Sequence, residues 1–154
     1  ITMEFIDYLN IAEIEIIQML EKAGYKTVEN TGLCLLGKEY VGFLKKKEKT
    51  IVICTNNAKK IERYGLIKRK DIDIFERTAT HIKKALRHEA VHVAQECNGG
   101  KLLDIKKNLK INPAKVSALK GSINISGEGE KERQAYILES NPKFVKKELE
   151  KYCL

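Results

Sequence analysis

Hydrophobic and polar positions divide the chain into segments of different period. From Met3 to about Ala23, the apolar residues Phe5, Ile6, Leu9, Ile14, Ile17 and Leu20 keep roughly helical spacing and Gly24 supplies a stop, which predicts one amphipathic helix. Between Tyr25 and Thr55 the pattern changes to β-branched and aromatic runs, notably Tyr40 to Leu44 and Thr50 to Cys54, separated by the polar run Lys45 to Lys49. These predict a hairpin, with a third strand expected near Leu33 to Leu36. Asn56 to Arg69 reads as a loop with a short helix. From Asp73 to Cys97 the chain has no Gly or Pro, and Ala79, Ile82, Leu86, Ala90, Val93 and Cys97 recur at steps of three and four. This is the clearest helix, closed by Asn98-Gly99-Gly100. Asn112-Pro113 predicts the start of a short helix to Leu119, and the glycine-interrupted stretch Gly121 to Gly129 a loop or hairpin. A helix then resumes over Glu130 to Ser140, and after Asn141-Pro142 a last amphipathic helix carries Phe144, Val145 and Leu149.

No internal repeat or low-complexity linker appears, so residues 1–154 read as a single domain of the α+β class. The length is enough to bury a substantial core without metal or disulfide staples, so a metal would be present for chemistry. The net charge of +8 changes this picture little. Of the 29 basic residues 24 are lysine, whereas bidentate readers of bases and phosphates favour arginine. No zinc finger, Arg-rich helix or aromatic-interleaved basic strand appears, which argues against nucleic acid as a partner. Lys45 to Lys47 and Lys146-Lys147 read as solvated faces, with contact to acidic substrates as the alternative. Cys34, Cys54, Cys97 and Cys153 form no C-x-x-C pair. Reduced thiols in a cytoplasmic protein are therefore the expectation, with Cys34 to Cys54 or Cys97 to Cys153 as the bridges left open. Glu4, Asp7, Glu13 and Glu15 interrupt the first segment, which does not read as a signal peptide, and no membrane span is expected.

The clearest helix carries the chemistry. His88-Glu89-Ala90-Val91-His92 is an H-E-x-x-H pattern, with two of the three histidines of the chain one turn apart on one helical face. Both imidazoles can reach one metal ion, while Glu89, about 100° round the helix, can address a metal-activated water. The alternative is a pair of half-buried histidines with Glu89 paired to a neighbouring cation. No histidine follows His92, so a third protein ligand would be a carboxylate, and Glu132, Glu139, Glu128 and Glu130 are the candidates.

With this motif the sequence resembles the gluzincin type of zincin metallopeptidase, in which H-E-x-x-H is completed by a Glu on a later helix, commonly as E-x-x-A-D. Glu132-Arg133-Gln134-Ala135-Tyr136 matches that pattern except that Tyr136 stands where Asp is common. The resemblance covers roughly Thr78 to Ser140. It implies a small zincin-like fold, one zinc ion held by His88, His92 and Glu132, Glu89 as general base, and a peptide or protein substrate. The Tyr136 departure leaves Glu139, Asn141 or a backbone carbonyl to orient a histidine. An oxyanion donor is sought among Tyr136, Tyr64, His81 and Arg133, Tyr136 first. From the residues alone, the edge of the hairpin is open to an extended peptide by strand addition, the alternative being a hairpin that only closes the core. The rival readings are a zincin-fold binding protein without turnover and a basic nucleic-acid-binding domain.

Overall fold

A computed structural model describes residues 3–65, 73–105, 110–126 and 128–154. The fold is α+β, a small three-stranded mixed sheet set among helices. The first predicted helix is two elements: a 3-10 turn over Glu4–Tyr8, then α1 (Ile11–Lys22). The break has a local cause. Asn10 and Glu13 form a capping box, so a new helix starts at Ile11 instead of continuing from Phe5.

Three strands follow: β1 (Lys26–Glu29), β2 (Gly42–Lys45) and β3 (Thr50–Ile53), in the spatial order β1-β3-β2. The β2–β3 hairpin is the expected one, with Gly42 opposite Ile53 and Lys45 opposite Thr50. The third strand is β1, parallel to β3; the predicted strand near Leu33 to Leu36 is a 3-10 turn, Gly32–Leu36. Burial there does not alternate, since Cys34 is buried while both Leu35 and Leu36 are exposed, so a half-buried strand has no face to offer. The chain between that turn and β2 is held by Asn57, a buried side chain of the next helix, α2 (Thr55–Gly65), whose amide donates to the carbonyls of Cys34, Gly37 and Tyr40. The expected loop with a short helix is thus helical to Gly65, and residues 66–69 lie outside the described residues.

α3 (Ile74–Cys97) is capped by the Asp73 carboxylate on Phe75 and Glu76 N–H, and ends where Gly99 and Gly100 take positive φ. It crosses the middle of the molecule, against α1, α2, β2 and two later helices. Ile82, Leu86, Ala90, Val91, Val93 and Ala94 are buried in one core with Ile16, Leu20, Ile51 and Ile53. α4 (Val116–Ser126) runs through Gly121, so the predicted loop or hairpin is helical over much of its length; a glycine inside a helix costs only about 1 kcal/mol, which packing on the next helix outweighs. α5 (Gly129–Leu138) and α6 (Pro142–Cys153) follow as predicted, with the Asn141 side chain capping α6. Among the described residues no helix is long and apolar enough to cross a membrane.

The thiols correct the sequence reading. All four are bonded, as Cys34–Cys54 and Cys97–Cys153, the two pairings that spacing had left open. Sequence spacing cannot show that the end of α3 lies against the end of α6. The second bridge closes a 56-residue separation and pins the tail of α3 to the last helix. We expect iodoacetamide to label no cysteine before reduction and all four after it. Replacing Cys97 and Cys153 by Ser should lower unfolding free energy by about 2–4 kcal/mol in urea titrations; labelling of unreduced native protein would contradict both.

Candidate metal centre

Helical period alone brings His88 and His92 to one side of α3, and α5 supplies the group that faces them. Glu132 reaches between the two rings, with Oε2 3.1 Å from His88 Nε2 and Oε1 3.0 Å from His92 Nε2. All three side chains are buried, and their ligand atoms lie within 4.8 Å of one another. This group could hold a metal ion.

The surrounding hydrogen bonds fix what these nitrogens can do. Gln95, one turn after His92, offers its amide oxygen 2.8 Å from His92 Nδ1. An amide oxygen only accepts, so Nδ1 carries a proton, and Nε2 is the nitrogen that faces Glu132. That Nε2 is buried and makes no aligned hydrogen bond, although the carboxylate oxygen is 3.0 Å away. With no aligned N–H···O bond between them, the nitrogen and the oxygen face each other across a gap that a cation can fill. The arrangement therefore fits a bound cation better than a histidine pair packed for its own sake. Gln95 is itself held by the Lys131 carbonyl and by Gln134, whose amide clasps both backbone groups of Leu103.

His88 is backed from α5. Glu139 Oε1 lies 3.8 Å from His88 Nδ1 and 3.5 Å from the Lys115 ammonium, and the Tyr136 ring packs on the His88 ring at 4.4 Å. Glu139, weighed from sequence as a ligand, is thus on the far side of the ring from Glu132 and orients it. Glu128, the other competitor, is engaged by Lys46 and Lys131, and Glu130 is exposed. Arg87 completes the support: it donates to the Glu139 carbonyl and pairs with buried Glu13 of α1 at 3.1 Å. Burial pushes the His88 imidazolium toward losing its proton, but hydrogen bonds to Glu132 and Glu139 and the charge of Glu89 outweigh it, so its pKa is raised to about 10. Burial also raises Glu132, yet the two histidines hold its carboxyl well below the usual range. Glu89 is pushed up by burial, with the histidine charges partly opposing.

A cleft of about 290 Å³ opens over the group, with α3 as its floor, β2 as one wall and α5 as the other. His88, Glu89, His92, Glu132 and Tyr136 all line it. The Tyr136 hydroxyl donates to the Ala118 carbonyl at 3.2 Å. Of the other donor candidates His81 lines the cleft, Arg133 is not among the described residues that do, and the Tyr64 side chain lies outside the described residues. β2 comes close to the floor because residue 42 is glycine: a Cβ there would stand 3.2 Å from both Ala85 Cβ and Glu89 Cγ. Sequence reading missed Gln95, Lys115, Gly42 and the Lys46–Glu128 pair; only Gln95, three residues after His92, carried a local signal.

Residues 5–154 match a family described as a domain of unknown function, DUF8637. No curated protein and no solved structure matches the chain.

Uptake of a divalent ion must expel the His88 proton, so affinity should rise about tenfold per pH unit between pH 6 and 9 and level off above about 10. Zinc competition against a chromophoric chelator across that range checks the slope; a flat profile would mean that His88 does not bind the ion. Gln95→Leu should weaken zinc binding about 10- to 100-fold at any one pH in the same titration.

Proposed function

The chain belongs to the DUF8637 family, and from the geometry of its cleft we propose that it is a zinc-dependent metallopeptidase of the zincin type, with His88, His92 and Glu132 as the metal ligands. The observation that carries this reading is the buried, unpaired His92 Nε2 opposed to a carboxylate oxygen, with Glu89 on the adjacent face of the same helix and an edge strand above. Two imidazoles and one carboxylate suit zinc, and three protein ligands are the usual complement of a catalytic site that keeps a position open. When bound, the ion supplies Lewis-acid polarisation of a carbonyl and acidifies water.

The other roles belong to the chain. β2 is the sheet's edge next to the cleft, and its unpaired N–H and C=O groups offer an extended peptide a register of backbone hydrogen bonds. Glu89, with its pKa raised by burial, is a carboxylate suited to take a proton from water and release it again. In hydrolysis the water oxygen bonds to the peptide carbonyl carbon, Glu89 carries the water's proton to the departing nitrogen, and the C–N bond breaks. Tyr136, which lines the cleft with its ring on His88, would donate to the developing oxyanion in exchange for its bond to Ala118. Glu139 and Gln95 keep both rings aimed at Glu132. The reading favours an oxidising compartment over the cytoplasm expected from sequence, because both disulfides survive there.

Mass spectrometry of a mixture of unstructured peptides incubated with zinc-loaded protein tests the proposal. Glu89→Gln should keep one zinc per chain and lose at least about 100-fold in hydrolysis rate. A wild-type protein that holds zinc and cleaves nothing would instead favour a binding protein on the same frame, and one that takes up no zinc would remove the metal reading itself.

A further inference from the structure

The two walls of the cleft are joined at one end. Lys46, just past the end of β2, reaches across to Glu128, the residue that precedes α5, with 2.9 Å between Nζ and Oε2. The two residues are 82 apart in sequence and both line the cleft. A chain lying along β2 toward its C-terminal end therefore meets this ion pair where the strand itself stops.

Direction and charge then agree on what arrives there. β2 runs from Gly42, beside Glu89, to Lys45, next to Lys46 and Glu128. A peptide added antiparallel to β2 points its amino-terminal end toward Lys46. The surroundings of that spot favour an ammonium: Lys46 sits in the field of Glu128, Glu96 and Glu132, and Glu128 has a second cation in Lys131. The distance is short as well. Glu128 precedes Glu132 by one helical turn, about 6 Å along the axis, which is the advance of about two residues of extended chain.

We propose that this end of the cleft receives the free amino terminus of the peptide, whose ammonium takes the place of Lys46 on Glu128, so that the enzyme removes one or two residues from the amino-terminal end. The inference rests on the metallopeptidase reading above. Lys46 is then a stand-in for the substrate's amine, and this exposed pair yields readily to a chain end that brings a replacement charge. A chain continuing past that point, or one with a capped amine, brings Glu128 no replacement charge and leaves Lys46 in place.

The probes are Ala-Leu-Ala-Leu, its N-acetyl form and its C-terminal amide, titrated by calorimetry into zinc-loaded Glu89→Gln protein and incubated with zinc-loaded wild type. The free and C-amidated peptides should bind at least about tenfold more tightly than the acetylated one, as expected for one charge-assisted hydrogen bond. Adding Glu128→Gln should erase that preference while zinc content stays at one per chain, and adding Lys46→Met should strengthen binding of the free peptide. Wild type should release Ala or Ala-Leu. Equal affinity for free and acetylated peptides, dependence on the C-terminal carboxylate, absence of binding, or cleavage of the acetylated peptide at the free peptide's rate would each overturn the proposal. Glu128-dependent binding of the free amine without hydrolysis would instead leave the amine site standing and remove the peptidase reading.

Discussion

The structure depends on one constraint, that a single helix must be both the centre of the core and the floor of a polar cleft. α3 buries Ile82, Leu86, Ala90, Val91 and Val93 while also burying His88, Glu89, His92 and Gln95. Each buried polar side chain must find a partner or cost on the order of 1–3 kcal/mol. α5 supplies most of the partners, through Glu132, Gln134, the Lys131 carbonyl and Glu139, and the Arg87–Glu13 pair ties the same region to α1. Among the described residues, His92 Nε2 is fully buried on this helix without an aligned partner, facing the Glu132 carboxylate.

Much of this was legible in the sequence, and the parts that were not have physical reasons. The H-E-x-x-H pair is local, so helical period fixes its geometry. Glu132 came from a resemblance, and packing brings it to the histidines. Elements were misread where a side chain overrode periodicity: Asn10 starts a helix inside an apolar repeat, and the turn holding Leu35 and Leu36 is organised by Asn57, more than twenty residues downstream. Gly121 marks no break, because α4 is packed against α5. The disulfides and the Lys46–Glu128 bridge join residues 20, 56 and 82 apart, and no spacing rule reaches across such distances.

The cleft walls differ in how they are held. α5 is fastened through buried amide and carboxylate contacts on the same side as the group of His88, His92 and Glu132. β2 is anchored from behind: its partner β3 leads into Cys54, which bonds Cys34, and α2 begins at once with Thr55 and clamps the preceding loop through Asn57. The edge strand thus stays extended although only one strand pairs with it.

The missing side chain at position 42 bears on entropy. Ordering a long side chain such as that of Glu89 costs up to about 2 kcal/mol. Backbone lying against the Glu89 Cγ leaves that stem little room to swing, so folding restricts it in advance of any substrate. A methyl group at this one position would press on the Ala85 and Glu89 side chains, so that the Glu89 stem would have to shift by a few tenths of an ångström while the His88, His92 and Glu132 group stayed as it is.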